Sequence, residues 1–429
     1  MSTQVVIVGG GWSGCAAAIA ARSAGADRVV VIERTDELLG TGLVGGIMRN
    51  NGRYTATEEM IALGGGDLFE VCDAHSRHRS ISFPGHEHAW LYDVNTIAQA
   101  VREALLVRDI EIWLQSRVNA IEGSTAAIEA VVLDNGYVIE GDVFVEATGT
   151  AGAQSFCTDH GNGCVMCVIR CPTFGPRVSI AGLAGVAEVQ GRKADGTIGA
   201  MSGSCKLNKQ TIEPSLVEEL ERTGVLIVPL PAHLVTLEKL AGKACQQYAL
   251  ADFATNVIVL DTGQAKLMTS YVPLHELRQI PGFERVRYED PYAGTVGNSM
   301  RYSAMAPRAD DLQVTGGPAN LLCCGEKAGL LVGHTEAIAT GTLAGHNAVR
   351  IHAGLGTLTL PQSLAVGDAI THVRRSMATA DGLTKKYTFS GSVYFERMKQ
   401  LGLYTTDHAA IADRVRATGL SNVLAHKVT

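Results

Sequence analysis

The chain has 429 residues, 46% of them hydrophobic but only 5% aromatic, and carries a formal charge of −7. It is long enough to bury a large core and form two or more domains, and its acidic balance supplies no overall field to attract nucleic acid. No apolar run is long enough to span a bilayer and the first strand starts a few residues after Met1, so a soluble, cytoplasmic protein without membrane contact is expected.

Val5-Val6-Ile7-Val8 is a wholly apolar run of the kind a parallel sheet buries on both faces. It leads directly into Gly9-Gly10-Gly11-Trp12-Ser13-Gly14, which satisfies G-x-G-x-x-G. Gly9 suits the tight turn, Gly11 lets backbone approach a pyrophosphate, and Gly14 permits close helix–strand packing. Cys15 to Ala24 reads as an Ala-rich helix whose N-terminal dipole would face that pyrophosphate. A second apolar strand, Val29 to Ile32, ends at Glu33, about 20 residues past the last glycine, where an acid accepts ribose hydroxyls. Strand, glycines, helix, strand and acid in that order predict a dinucleotide site without separating FAD from NAD.

Beyond Arg34, the stretch Leu39 to Gly46 is a second glycine-rich loop, suited to lie close to something flat. Helices are expected over Thr57 to Leu63 and Phe69 to His75, with Gly64-Gly65-Gly66 between them. Ser76 to His88 is rich in His, Arg and Ser. Its histidines fit no zinc spacing, so it reads as a polar loop at the substrate mouth. Asp93 to Leu106 has Ile97, Val101 and Leu105 at helical spacing. Strands follow at Ile110 to Leu114, Val118 to Glu122, Ala127 to Leu133 and, after the Asp134-Asn135-Gly136 turn, Tyr137 to Glu140. Asp142 to Gly149 is an apolar strand ending in Ala147-Thr148-Gly149. Late in the chain, Asn320 to Glu326 is a strand ending in Gly-acid, and the helix Glu336 to Val349 carries Gly341 and Gly345 for close packing.

The Gly9–Gly14 turn, the Ala-Thr-Gly strand and the Gly-Glu segment together resemble the glutathione-reductase-like class of FAD proteins. Glu58-Glu59-Met60, Leu277 to Glu284, Gly294 to Ser303, Gly341 to Ala348 and Leu360 to Gly367 narrow the resemblance to the GidA family. Within it, the match in length is to the folate-dependent tRNA uridine methyltransferase flavoproteins. The resemblance implies FAD contacts at Gly9, Gly11, Trp12, Ser13, Gly14, Glu33, Arg34, Gly45, Gly46, Val118, Ala147, Thr148, Gly149, Gly325, Glu326, Gly333 and Ala337. Glu326 stands where Asp is commoner. His334, at the start of the segment facing the flavin, is a candidate for polarising a substrate or holding N1/C2=O of the ring; a structural hydrogen bond is the alternative. The methyltransferase cysteine has no counterpart, since Gly40 occupies its place, and that reaction is not carried over.

Cys157-x6-Cys164-x2-Cys167-x3-Cys171-Pro172 crowds four thiols just after the Ala-Thr-Gly strand. Three readings stand open: ligation of a [4Fe–4S] centre, a dithiol/disulfide pair (Cys167 and Cys171 as redox residues) beside the flavin, and structural zinc. Cys15, Cys72, Cys205, Cys245, Cys323 and Cys324 read as small buried hydrophobes. Arg170, Arg177 and Lys206 are either anion-binding or solvated.

The expected fold is therefore α/β: a discontinuous, three-layer Rossmann-like FAD domain (1–155 and 306–354), an inserted α+β substrate domain (156–305) and a helical tail (355–429). The tail's basic residues (Arg374, Arg375, Lys385, Lys386) read as a solvated or subunit-packing face. The expected activity is FAD-dependent electron or hydride transfer to a small-molecule substrate. A transient donor, NAD(P)H or ferredoxin-like, would supply electrons, because only one complete glycine fingerprint is present. A GidA-type RNA-modifying enzyme and a non-catalytic electron-transfer subunit are the alternatives, with homo-oligomerisation open.

Overall fold

Strands that are apolar on both faces must be covered on both, and this requirement shapes the centre of the molecule. The computed structural model describes residues 2–149, 174–193, 195–198, 200–202, 205–240, 246–268, 272–289, 299–301 and 304–428. β1 (Gln4–Val8) runs into α1 (Trp12–Ala24) and β2 (Arg28–Ile32). A short strand, β3 (Ile47–Arg49), and α2 (Gly52–Ala62) precede the long strands β4 (Ser76–Phe83) and β5 (His86–Tyr92). β6 (Glu111–Trp113) is followed by the meander β7 (Val118–Gly123), β8 (Ile128–Leu133) and β9 (Val138–Glu140), then by β10 (Val143–Glu146).

The insertion supplies β11 (Cys205–Leu207), α3 (Pro214–Thr223), β12 (Val225–Pro229), β13 (Asn256–Asp261) and β14 (Ala265–Leu267). The chain then returns through β15 (Leu321–Cys323) and α4 (His334–His352), and ends in α5 (Ala365–Ser376), α6 (Ser392–Gln400) and α7 (His408–Ala417).

Five strands form the central sheet in the order β15-β10-β1-β2-β6, all pairs parallel. Val5 pairs with Val143 on one side and Val29 on the other, so strands more than a hundred residues apart in sequence flank β1. The meander contributes Ile128, Val131, Leu133 and Ile139 to the same core as Val143, Phe144 and the α1 alanines. The insertion has its own antiparallel sheet, β11-β14-β13-β12, and its own core around Leu220, Val257, Val259, Leu267 and Phe283.

α1 and α4 cross at backbone contact. A Cβ on Gly341 would overlap the Ser13 carbonyl oxygen, and one on Gly345 the Ala17 carbonyl oxygen. Each glycine is there because nothing larger fits between the two helices.

Two expectations change. Residues 76–88 are not a loop: Pro84-Gly85 turns β4 into β5, and β5 pairs with both β4 and β3. The polar side chains belong to the outward faces of a twisted ribbon, and His86 is buried within it. The C-terminal segment is also more than a solvated tail. Leu364, Val366, Ile370, Val373, Phe389 and Tyr394 join the main core, and Arg374 is held by Asp310 at 2.6 Å. Arg375 is exposed, whereas Lys386 is buried.

Replacing Gly345 by Ala should force α1 and α4 apart and cost about 1–3 kcal/mol. Gly356→Ala, where a Cβ meets nothing within 4 Å, serves as the control. Thermal melts should show a lowered midpoint for the first variant only; equal midpoints would contradict the contact.

Candidate functional site

The site begins where β1 stops. Gly9 has φ +111°, and a Cβ there would overlap the Ala147 carbonyl; a Cβ on Gly14 would overlap the Gly9 carbonyl. Turn, helix start and the end of β10 are thus closed on one another by absent side chains. Gly11 is the N-cap of α1 in extended conformation, with no side-chain cap and no acid in the first turn. A Cβ on Gly11 would meet nothing among the described residues within 4 Å, so the glycine leaves space beside the helix start. Uncapped amides, a favourable dipole and room for a ligand are what a pyrophosphate needs.

Glu33 leaves the end of β2 and accepts the Gly10 amide at 2.8 Å, as well as the Thr35 amide and hydroxyl at 2.9 Å. A carboxylate has about four acceptor positions, so these bonds orient it without using all of it. Arg34 donates to the Gly175 carbonyl, which ties the end of β2 to the chain entering the insertion. Arg177 then lies beside Gly149, its guanidinium 3.4 Å from where a Cβ on that glycine would be. Val118 is buried at the start of β7, two residues after Ser116, whose amide reaches the Glu33 carbonyl.

Ala147 donates its amide to Val8 O at 2.8 Å, and the Thr148 hydroxyl donates to Glu146 at 2.9 Å. Glu146 is fully buried, accepts the amides of Ile180 and Ala181, and faces Lys327 at 3.4 Å. Burial alone would push the Lys327 ammonium down, but Glu146 and Glu188 overcome that and raise it. Gly325 donates its amide to Thr340, and its Cα faces the Ser13 hydroxyl; Glu326 next to it is half-buried. Residues from early and late in the chain therefore meet at Ser13, and Ala147 meets the same turn at Gly9 and Gly14.

About 10 Å along α4 from Gly341, at 1.5 Å per residue, lies the start of that helix. Gly333 is its N-cap, and Gly333, His334 and Ala337 keep partial exposure while Thr335 and Glu336 are buried. Glu336 pairs with Arg53 at 3.0 Å and also accepts the Thr388 hydroxyl and the Phe389 amide, tying the C-terminal segment to the helix start. The loop bearing Gly45 and Gly46 packs here: Gly45 faces the His334 ring and Gly46 faces Thr262 of the insertion. The residues expected to contact FAD thus lie mainly in two places, around the α1 turn and around the α4 start.

Tyr92 and Lys266 were not singled out by the sequence. Tyr92 reaches both Gly42 and His334, and Lys266 donates to the carbonyls of Val44 and Gly45. The insertion is further docked by Asp261, which accepts from His78 at 2.9 Å, Arg77 at 3.0 Å and Lys209 at 2.7 Å. Burial would raise its carboxyl, but those three donors hold it below the usual range. His86 is the other pin: its Nδ1 accepts from Asn50 at 2.8 Å and its Nε2 faces the Gln247 carbonyl at 3.1 Å.

Cys157, Cys164, Cys167 and Cys171, with Arg170 and Cys245, lie outside the described residues. Among the described residues no group of three or more His, Cys, Asp or Glu is placed to hold a metal. Cys15, Cys72, Cys323 and Cys324 are free and buried, and burial pushes their thiols up, to about 12 for Cys323. Lys206 sits on β11, away from the α1 turn in sequence and in a different sheet. No described helix is long and apolar enough to cross a membrane.

A parallel sheet with a glycine turn, an inserted antiparallel domain and a second helix returning to that turn defines the class: an α/β protein built on a dinucleotide-binding fold. The chain belongs to the GidA family, described as glucose inhibited division protein A, which it matches over residues 4–229 and 243–355. Two crystal forms of Aquifex aeolicus GidA share the fold. The form II structure is 17% identical, with 98% of this chain and 74% of that one covered, at a TM-score of 0.66. The form I structure is 15% identical, with 97% and 79% covered, at 0.61. None of the curated proteins matches the sequence.

Burial drives the His86 imidazole down from 6.5 to about 3. Above 6.5 the ring is neutral in both folded and unfolded chain; below it the unfolded chain binds a proton that the folded ring refuses, so stability falls with pH. The gap in melting temperature between wild type and His86→Gln should therefore narrow from about pH 7.5 to about pH 5. A gap independent of pH would contradict a buried neutral ring.

Proposed function

We propose that this chain uses FAD to pass electrons or hydride between a transient donor, NAD(P)H or a ferredoxin-like protein, and a small-molecule substrate. The observation that carries the reading is the uncapped start of α1, open at Gly11 and joined through Ser13 to the end of β15 and the body of α4. The residues fit the cofactor in kind. The α1 amides and glycine turn would hold the pyrophosphate, Glu33 the ribose hydroxyls, and Gly325, Glu326 and the first turn of α4 the flavin end. Once bound, FAD supplies two-electron and one-electron exchange at its ring; the protein binds, orients and excludes water. The donor would come and go, since the second G-x-G-x-x-G spacing, Gly40 to Gly45, leads into the strand Ile47–Arg49 and not into the long helix that a nicotinamide dinucleotide would need.

Cys157, Cys164, Cys167 and Cys171 extend the proposal. Four thiolates with a Cys-Pro ending suit a [4Fe–4S] centre that would take single electrons from the donor. Family membership favours one second reading, flavin chemistry on RNA. The charge of −7 and Gly40 at the methyltransferase cysteine's place weigh against it.

Anaerobic purification with absorption spectra, iron analysis and titration with NADH, NADPH and a reduced ferredoxin tests these readings together. One FAD per chain, bleached by one of the donors, is expected, with about four irons per chain if the cluster forms. A chain that takes up no flavin would overturn the oxidoreductase reading. An iron-free flavoprotein would remove the cluster alone. Salt-sensitive tRNA binding would move the substrate to RNA.

A further inference from the structure

We infer that Lys266 is a positioning residue: reaching out of the insertion, it fixes the peptides of the glycine loop Gly40–Gly46, so that the flavin end of the site takes its shape only when the insertion is docked. The inference rests on the flavin reading above for what the loop would face, and on contacts within the chain for the rest.

Four of the loop's seven residues are glycine, which leaves it wide backbone freedom and few side chains with which to hold a shape. It is held from outside. Tyr92, at the end of β5, bonds it at two places: the hydroxyl donates to the Gly42 carbonyl at 2.5 Å, and the amide to the Gly46 carbonyl at 3.0 Å. Lys266 bonds it between them, donating to the Val44 carbonyl at 3.0 Å and to the Gly45 carbonyl. Those are the last two carbonyls of the helical turn Gly42–Gly45, the end at which a cation is favoured.

The place of Lys266 in its own sheet makes this contact a report of docking. Ala265 and Leu267 belong to the insertion's core, and strand alternation sends Lys266 to the opposite face, where it is buried against the loop. Its cross-strand neighbour is Lys206, so the sheet by itself gives no reason for a lysine there. Thr262, in the turn before β14, packs on Gly46, where any Cβ would overlap its side chain. An ammonium on the Gly45 oxygen also sets the direction of the whole peptide, because a trans peptide points its N–H opposite to its C=O. The Gly46 amide is thereby turned away from Lys266 and toward Tyr92. Burial pushes the Tyr92 hydroxyl far above its ordinary range, and that amide pulls the other way. Left to rotate, a Gly–Gly peptide could offer a ligand either its N–H or its C=O; Lys266 leaves it one orientation.

The test is hydrogen–deuterium exchange read by mass spectrometry, with calorimetric FAD binding and visible circular dichroism of bound FAD. The proteins are wild type, Lys266→Met, Lys266→Arg and Lys209→Met. The last makes the same chemical change at an insertion lysine that bonds Asp261 and Glu221 instead of the loop. Lys266→Met should speed exchange across residues 40–46, weaken FAD binding about tenfold, as expected for a lost hydrogen bond to a charged group, and change the flavin's circular dichroism. Lys266→Arg should recover most of each. Lys209→Met should lower the melting temperature and leave all three unchanged. Wild-type exchange and FAD binding in Lys266→Met overturn the inference, as does the same loss in Lys209→Met. If Lys266→Met does not fold, wild type decides, since a loop that exchanges as fast as an unfolded peptide is not clamped. Exchange that follows the variants as expected in a protein that binds no FAD would sink the flavin reading and leave the clamp standing.

Discussion

The structure depends on one close approach, the crossing of α1 and α4 at Ser13–Gly341 and Ala17–Gly345. Backbone against backbone leaves no side chain to adjust, so the helix that faces the pyrophosphate and the helix that begins beside His334 are fixed relative to one another. Everything chemical follows from that rigidity. The pyrophosphate and the flavin end of an extended dinucleotide would be held by the N-termini of two helices, one from each end of the chain. Neither helix could be moved without opening a gap in the core it shares with β1 and β10.

Around this frame, buried charges record where distant segments must meet. Glu146 joins the end of β10 to residues 180–181 and to Lys327; Arg53 and Glu336 join α2 to α4 and to residues 388–389. Glu59 accepts the amides of Ala365 and Val366 at the start of α5 and pairs with Arg414. Such pairs are weak evidence of net stability, because desolvation offsets much of the attraction. Their effect is on registration: an unpaired charge in any of these places would be costly, so alternative packings are disfavoured.

The local alphabet of the FAD domain was legible in the sequence because β1, the glycine turn, α1 and Glu33 are contiguous and each follows from its own residues. The Ala-Thr-Gly strand and the Gly-Glu segment were legible through resemblance, and their meeting at the α1 turn needed the fold. The β4–β5 hairpin was misread because its outward faces are polar. Pro84-Gly85, followed by the apolar and aromatic run Ala89 to Tyr92, was the available signal, and it would also have brought Tyr92 forward. The burial of α5 was likewise readable in Ala365, Val366, Ala369, Ile370 and Val373 at helical spacing. The Lys266 contact had no local signal at all, since it depends on how a separate sheet docks.

The account stands or falls on whether the α1 turn recognises the diphosphate of a dinucleotide. Calorimetric titration of the flavin-stripped protein with FAD and with FMN, in wild type and Gly11→Val, addresses this directly. Wild type should bind one FAD per chain and FMN far more weakly, because FMN lacks the half that the turn would hold. Gly11→Val should keep the fold, since its Cβ meets no atom of the described residues within 4 Å, and lose FAD. Equal affinity for FAD and FMN, or FAD binding untouched by the valine, would contradict the cradle described here.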